Sequence, residues 1–162
     1  MARARGWSIV VLVVVLLFAL NGRVERLADA LLHAPWAYGW DPRGDLTDDW
    51  TGAVSNGRAL DLSLAREFGE DGLPVPADDA DATLVGAGRL CAAGRATLQF
   101  GVTGRSNRSG SRLRLSLQHP AGTISGLNGR WTGDAIELSG DLFSETAAIS
   151  LRRGRACAGD PR

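Results

Sequence analysis

The sequence contains no lysine, so each of its 18 basic residues is an arginine. A lysine amine is needed for Schiff-base chemistry and for lysine general bases, and both are therefore excluded. The arginines are balanced by 18 acidic residues, which makes the formal net charge zero. A nucleic-acid-binding domain normally carries a clear basic excess, and we therefore expect no nucleic-acid partner.

Side chains that commonly carry catalytic or metal chemistry are also scarce. His33 and His119 are the only histidines, and neither stands in an H-E-x-x-H pattern, which leaves a zinc site without support. The G-x-S-x-G motif of serine hydrolases is missing as well. We therefore predict that the protein is not an enzyme and that it holds neither a metal ion nor a cofactor.

One long apolar segment occurs, at the N-terminus, where residues 7–20 are apolar except for Ser8. Seventeen residues separate Arg5 from Arg23, and in a helix they extend over about 25 Å, enough for a short membrane span. Arg3 and Arg5 precede the apolar residues and favour a cytoplasmic N-terminus.

Signal peptidase cleaves after small residues that closely follow such a segment, and the first A-x-A sequence after it, at residues 28–30, comes about ten residues too late. The sequence therefore predicts a retained signal anchor over residues 1–22, with a cleaved signal peptide as the alternative. The chain would be a single-pass protein of the inner (cytoplasmic) membrane. Its N-terminus would be cytoplasmic and the bulk of the chain periplasmic.

A second segment, residues 23–45, is predicted to combine a juxtamembrane amphipathic helix with an aromatic linker. Val24, Leu27 and Leu31 recur at helical spacing, and Pro35 ends the pattern. The linker then carries three alternating aromatic residues, whose rings suit either a membrane interface or the lid of a β core.

Residues 46–162 are predicted to form one extracytoplasmic antiparallel β domain, since apolar and polar residues alternate through most of it. The alternation is clearest at residues 96–102 and 113–117. Asn-Gly pairs at 56–57 and 128–129 indicate tight turns. We expect an all-β meander of about eight short strands closed into a small barrel, with a half-barrel or a sandwich as alternatives.

Two stretches of this domain are predicted to be loops. Residues 69–81 are acidic and contain Pro74 and Pro76, so a long exposed loop is expected before a weak strand near residues 83–85. Residues 104–111, GRSNRSGS, are expected to form a flexible basic loop between two better strands.

Cys91 and Cys157 are the only cysteines, and both follow the predicted anchor. In an oxidising compartment we expect them to form a disulfide. In the chain-entropy description, a disulfide that closes a loop of this size contributes about 4 kcal/mol to stability.

The tryptophans of the β domain repeat a short pattern, since residues 50–52 and 131–133 both read Trp-Thr-Gly. Each copy is expected to place its tryptophan near the start of a strand. Residues 129–131, Gly-Arg-Trp, resemble the G-x-W element of lipocalin-type and avidin-type barrels, although that element lies in their first strand. The resemblance implies a barrel that binds a small apolar ligand inside. The residues expected to line such a site, or the core, are Trp50, Phe100, Leu115 and Trp131.

Arg105, Arg108 and Arg112 lie among serine, asparagine and glycine residues and form a candidate anion-binding loop. Paired hydrogen bonds from their guanidinium groups would suit an anionic headgroup or an envelope polysaccharide. An ordinary solvated hairpin loop is the alternative.

A small exported domain on an uncleaved anchor, without catalytic groups, is typical of a binding protein. We therefore expect a non-enzymatic scaffold or subunit of a cell-envelope assembly, such as a secretion apparatus, with an envelope protein as its partner. The alternative is a calycin-like barrel that binds a small apolar ligand or a lipid.

Overall fold

A computed structural model describes residues 15, 22–29, 32–37, 41–54, 57–75, 81–93, 95–143 and 145–157. Its β domain has eight antiparallel strands, each paired with the next along the chain, and the last pairs with the first. The predicted all-β antiparallel barrel is thereby confirmed, and the half-barrel and the sandwich are excluded. The strands are β1 (Asp49–Ala53), β2 (Arg58–Arg66), β3 (Asp81–Ala92), β4 (Arg95–Asn107), β5 (Leu113–Gln118), β6 (Ile124–Trp131), β7 (Ala135–Leu142) and β8 (Glu145–Arg153).

The two ends of the barrel are distinguished by the strands that begin there. All odd-numbered strands begin at one end, which we call the lid end, and all even-numbered strands begin at the opposite end, the turn end. The β2–β3, β4–β5 and β6–β7 loops therefore lie at the lid end. The segments that enter β1 and leave β8 lie there too.

The barrel closes through its shortest strand ladder. β1 and β8 share only two register pairs, Trp50 with Arg153 and Thr51 with Arg152. By comparison, β3 and β4 share twelve. The pairing of β1 with β8, which we call the seam, is therefore the part of the wall with the fewest backbone hydrogen bonds.

The C-terminal segment, residues 154–157, reinforces the seam from outside. The amide of Gly154 donates a hydrogen bond to the carbonyl oxygen of Asp49 at 2.9 Å. Cys157 forms a disulfide with Cys91 of β3, with the two Cα atoms 5.8 Å apart, so the predicted cysteine pair is confirmed. Because residue 157 follows β8, this bond connects β8 to β3 across β1 and β2.

The barrel interior is filled by side chains that alternate along each strand. In β5, Leu113, Leu115 and Leu117 are buried and the residues between them are exposed, as expected for a strand with one face toward a core. Burial of each leucine contributes about 2 kcal/mol of transfer free energy. The full cluster consists of Ala34, Trp36, Leu46, Trp50, Leu60, Leu62, Leu64, Ala82, Leu84, Leu90, Phe100, Val102, Leu113, Leu115, Leu117, Leu127, Trp131, Ile136, Leu138, Leu142, Ile149 and Leu151.

The mouth of the barrel at the lid end is covered by the lid, residues 34–37 and 41–48. The lid begins with a 3-10 helix, Pro35–Ala37, and places Trp36 and Leu46 in the core with no exposed surface. The indole N–H of Trp36 donates to the carbonyl oxygen of Asn107 at 3.3 Å. This aromatic residue of the linker therefore covers the β core. The other two, at 38 and 40, lie outside the described residues.

Residues 22–29 and 32–33 are helical and lead into the lid. The guanidinium of Arg26 contacts the carboxylate of Asp71 at 2.7 Å, which places the helical residues beside the β2–β3 loop. Within the described residues, no helix combines the length and the apolarity that crossing a bilayer requires. The anchor predicted over residues 1–22 lies outside the described residues except for Val15 and Gly22, and it stays a prediction.

The tight turn predicted at residues 128–129 is wrong. β6 continues through Asn128 and Gly129, and the chain turns only after Trp131, where Gly133 has a φ of +102°. Trp131 therefore ends a strand, although the repeated tryptophan pattern predicted that it would begin one. The prediction for the other copy is confirmed, because Trp50 lies near the start of β1.

The predicted basic loop is shorter than the sequence indicated, whereas the predicted acidic loop does lie between β2, which ends at Arg66, and β3, which begins at Asp81. The weak strand expected near residues 83–85 is part of β3, a strand of twelve residues, and β4 extends to residue 107, into the predicted basic loop. The physical reason is the long β3–β4 ladder, which pairs the backbone of residues 81–92 with that of residues 95–107. Polar side chains of these residues can then face solvent from the outer wall.

Gly129 and Gly126 offer a matched test of how closely β6 packs against β7. A Cβ atom on Gly129 would lie 1.9 Å from the carbonyl oxygen of Glu137, whereas one on Gly126 would meet nothing within 4 Å. We expect Gly129→Ala to lower the free energy of unfolding by about 2 kcal/mol, because a backbone atom cannot move aside without disturbing the ladder. Gly126→Ala should change it by less than about 0.5 kcal/mol. Urea denaturation measures both, and equal effects would contradict this packing.

Candidate functional site

The three arginines of the candidate anion-binding loop lie together at the lid end. Arg105 faces outward from β4, and Arg108 and Arg112 belong to the β4–β5 loop. An open groove of about 610 Å³ runs between this loop and the lid. Its walls include Pro35, Asp41 and Arg43 of the lid, Asp81 of β3, and Arg108 and Arg112. We take this groove and its arginines as the candidate site.

The β4–β5 loop is held in a defined turn by its own polar groups. The side-chain oxygen of Asn107 accepts a hydrogen bond from the amide of Arg112 at 3.1 Å, and its carbonyl oxygen accepts one from the amide of Gly110 at 2.9 Å. Gly110 has a φ of +66°, and a Cβ atom there would lie 2.7 Å from the ring of Trp131. Glycine is required at this position, and the resulting turn sets Arg108 at the groove.

Arg43 of the lid joins the two walls of the groove, although no pattern in the sequence marks it as a site residue. Its guanidinium donates two hydrogen bonds to the carboxylate of Asp41, at 2.9 and 2.7 Å, and one to the carbonyl oxygen of Ser109 at 2.8 Å. It also lies 4.5 Å from the ring centroid of Trp131, within the range of a cation–π interaction. Arg43 therefore ties the lid to the β4–β5 loop and to the core.

The pairing of Asp41 with Arg43 changes the acidity of both groups. Asp41 is buried, and the hydrogen bonds that it accepts from Arg43 hold the pKa of its carboxyl below the ordinary value of 3.8. The same hydrogen bonds raise the pKa of Arg43. This ion pair lies within the lid and orients the guanidinium of Arg43, so the charge of Arg43 is already balanced within the site.

Asp41→Asn is expected to lower the free energy of unfolding by about 1.5 kcal/mol at neutral pH, because it removes the charge that accepts the hydrogen bonds from Arg43. The pKa of Asp41 is depressed in the folded protein. Its contribution is therefore present above the unfolded carboxyl pKa and is lost as the pH falls through the folded value, which lies below 3.8.

The stability difference between wild type and Asp41→Asn should consequently shrink as the pH falls from about 5 to about 3. Urea denaturation at several pH values measures it. Asp134→Asn, which alters an exposed carboxylate at the same end, is the control and should have little effect at any of these pH values. A difference that stays constant down to pH 3 would contradict the role given to Asp41.

The arginines of the loop are not equivalent. Arg112 donates a hydrogen bond to the carboxylate of Asp81 at 2.6 Å, which raises the pKa of this arginine. Arg108 makes no hydrogen bond or ion pair with the rest of the described chain. The loop thus offers one paired and one unpaired guanidinium to a ligand in the groove.

A fourth arginine joins the three that the sequence singled out. Arg114 of β5 is exposed and lies directly opposite Arg105 of β4 in the strand ladder. Side chains opposite each other in antiparallel strands are about 5 Å apart at their Cβ atoms. The sequence did contain a signal for this residue, because Arg112 and Arg114 both alternate with the leucines of residues 113–117, a pattern that predicts one face for the two arginines.

The four residues expected to line a ligand site or the core all belong to the core cluster. Trp50, Phe100, Leu115 and Trp131 are each at most 5% exposed. The two tryptophans lie at the lid end, whereas the ring of Phe100 contacts that of Phe143 toward the turn end, with centroids 5.3 Å apart. None of the four lines the groove at the lid end.

A second polar cluster lies on the outer wall beside the seam. Asp61 is buried although it faces away from the core, because the C-terminal segment covers it. Its carboxylate accepts hydrogen bonds from the amides of Ala156 and Cys157, at 3.1 and 2.9 Å, and from the hydroxyl of Thr51. The cluster holds the segment that carries Cys157 against β2, so we assign it a structural role.

Among the described residues, no three side chains of His, Cys, Asp or Glu are grouped so as to hold a metal ion. Comparison with protein-family models, with curated proteins and with solved structures finds no match to this chain. What the protein does must therefore be inferred from its own geometry.

Proposed function

We propose that the protein is a non-enzymatic, membrane-anchored scaffold or subunit of a cell-envelope assembly, such as a secretion apparatus, and that it binds a protein partner through the outside of its barrel. The observation that carries this proposal is the filled interior. The barrel's inward side chains form one buried cluster, and the lid covers one mouth. Recognition then depends on the outer wall and on the loops, where binding residues of rigid scaffolds usually lie.

We place the barrel in the periplasm, on an anchor formed by residues 1–22 in the inner membrane. The arginines that precede the apolar residues favour this orientation. The Cys91–Cys157 pair at disulfide distance suits an oxidising compartment. In this placement the C-terminus of the chain lies outside the cytosol. A reporter fused after Arg162 should therefore report a position outside the cytosol, and a signal from the cytosol would contradict the placement.

The partner is tested by crosslinking in intact cells, extraction of the full chain in mild detergent, and affinity purification. We expect one envelope protein to be recovered at constant stoichiometry. The control is the same anchor, residues 1–45, fused to an unrelated periplasmic domain, which removes proteins that follow the anchor alone. A chain that always elutes without a stoichiometric partner would contradict the proposal.

The competing function is a calycin-like barrel that holds a small apolar ligand or a lipid. It needs an interior space among Trp50, Phe100, Leu115 and Trp131, and the burial of these residues in one cluster favours surface binding instead. Native mass spectrometry of the purified chain distinguishes the two. We expect the mass of the protein alone, and a retained lipid would favour the competing function.

A further inference from the structure

We propose that a pocket on the outer wall of the barrel, beside the C-terminal segment, binds a carboxylate group of the protein partner through Arg89, Ser63 and Arg155. The pocket has a volume of about 200 Å³, and its walls also include Asp49 and Asp61. This inference rests on the proposed function for its partner. It goes further because it names the chemical group that is bound and the residues that bind it.

The register of three neighbouring strands brings the pocket residues together. Ser63 of β2 lies opposite Asp49 of β1 on one side and opposite Ala87 of β3 on the other. Arg89 lies two residues further along β3, so its side chain is on the same face as that of Ala87 and diagonal to Ser63. Diagonal neighbours in antiparallel strands are about 7 Å apart, a distance that a long side chain spans. Because alanine is small, space remains above it between Ser63 and Arg89.

The acidic groups of the pocket already accept hydrogen bonds from the protein itself. The carboxylate of Asp61 accepts them from two amides of the C-terminal segment and from the hydroxyl of Thr51. The carboxylate of Asp49 is bound by Nε and Nη2 of Arg155, at 2.8 and 2.6 Å. Neither acid uses Arg89 as a donor, although Asp61 lies directly opposite it in the ladder.

Several donors of the pocket have no acceptor in the part of the chain that the structure describes. Arg89 is half-buried and makes no hydrogen bond or ion pair there, and the hydroxyl of Ser63 makes no hydrogen bond. Nη1 of Arg155 is also unused, because this residue binds Asp49 through its other two nitrogens. Donors that line a pocket in this way are suited to an acceptor from outside the chain.

The donors and the size of the pocket favour a carboxylate. A guanidinium group presents parallel N–H donors that match the two oxygens of a carboxylate. Pockets for whole small molecules have volumes of about 300–1,000 Å³, so this smaller pocket suits the end group of a larger ligand. The two arginines and the two acids of the pocket cancel formally, which disfavours a doubly charged group such as phosphate. A side-chain or C-terminal carboxylate of the partner meets these conditions.

The test uses the full chain in a non-ionic detergent and follows the backbone amide of Ser63 by NMR during titration with small probes. N-acetylglycine represents a C-terminal carboxylate, and N-acetylglutamate α-amide represents a side-chain carboxylate. N-acetylglycinamide is the neutral control, and inorganic phosphate is the control with more charge. We expect a saturable shift with both carboxylates, the tighter of which identifies the source, and none with the two controls.

Arg89→Gln should weaken carboxylate binding at least about ten-fold, because it removes a charged donor. Ser63→Ala should weaken it about three-fold. The matched control is Arg114→Gln, because Arg114 is also an exposed-wall arginine without a partner among the described residues. It lies on β5, two strands from β3, and its loss should change the affinity less than about two-fold, since salt screens exposed charges at such distances. Near-UV circular dichroism verifies that each variant is folded.

No saturable shift with either carboxylate, or an equal shift with N-acetylglycinamide, would overturn the proposal. So would phosphate that binds as tightly as the carboxylates, or an Arg89→Gln variant that binds them as well as the wild type. Crosslinking in cells separates this proposal from the proposed function. A partner recovered equally by the wild type and by Arg89→Gln would refute the pocket and leave the scaffold standing. Carboxylate binding without any recovered partner would refute the scaffold and leave the carboxylate site standing.

Discussion

Replacing Cys91 and Cys157 together by alanine is expected to lower the free energy of unfolding by about 4 kcal/mol. The two cysteines are 66 residues apart, and in the chain-entropy description the disulfide removes the corresponding loop freedom from the unfolded chain. The net stability of a domain is about 5 to 15 kcal/mol, so the loss is a large fraction of the total. Alanine is chosen because both positions are buried and serine would add unpaired hydroxyl groups.

Urea denaturation of the oxidised protein, the reduced protein and the double variant measures this effect. Reduction should destabilise the wild type by a similar amount and should leave the double variant unchanged, which separates the bond from the substitutions. Hydrogen exchange should show that the β1–β8 seam opens first, because the disulfide connects β8 to β3 across it. A loss below about 1 kcal/mol, or exchange that rises evenly around the barrel, would contradict this role.

Trp131→Ala should lower the free energy of unfolding by about 4 kcal/mol, since it removes a large aromatic side chain that is 2% exposed. Trp131 also connects three parts of the molecule. Its indole N–H donates to the carbonyl oxygen of Gly133 at 3.1 Å, its ring lies against Gly110, and the guanidinium of Arg43 lies over it. The substitution should therefore loosen the lid and the β4–β5 loop as well as the core.

Trp50→Ala is the matched control for this variant. Trp50 is also buried, its indole N–H donates to the carbonyl oxygen of Leu46, and Arg153 lies over its ring. Both variants should lose similar stability, but only Trp131→Ala should accelerate hydrogen exchange at residues 107–112. Equal acceleration in the two variants would contradict the special position of Trp131.

The sequence predicts the strands best where local pattern and burial agree. Residues 113–117 alternate without exception, and the structure buries every second side chain there. In such a strand the position of one residue determines the faces of all the others, because side chains point alternately to the two sides. The antiparallel closed barrel follows from several strands of this kind joined by short connections.

The prediction fails where a tertiary contact outweighs local preference. Asn128-Gly129 has the composition of a hairpin turn. In the structure Gly129 is needed inside β6 because the carbonyl oxygen of Glu137 approaches too closely for any side chain. Glycine suits both a hairpin turn and a close approach between two strands, and the sequence alone does not distinguish the two.

The candidate site was predicted only in part, for a related reason. Arg105, Arg108 and Arg112 are neighbours along the chain, and the sequence therefore predicts them as one group. Arg43 reaches the same loop from more than sixty residues away, through its bond to Ser109. Its place depends on how the lid folds back over the barrel, and no local pattern encodes that path. Arg114 depends on the register of β4 and β5, which alternation limits but does not determine.

The short seam between β1 and β8 also has a mechanical consequence. A force applied between the chain that enters the lid and the turn end of the barrel would act along the strands. The pulling force would enter β1 at Asp49 and act parallel to that strand. The hydrogen bonds from β1 to β2 and to β8 are perpendicular to the strand, so they would bear the force together, in shear. The bonds from residues 154–157 to Asp49 add resistance at the same point. A barrel closed in this way is suited to withstand tension along its strands.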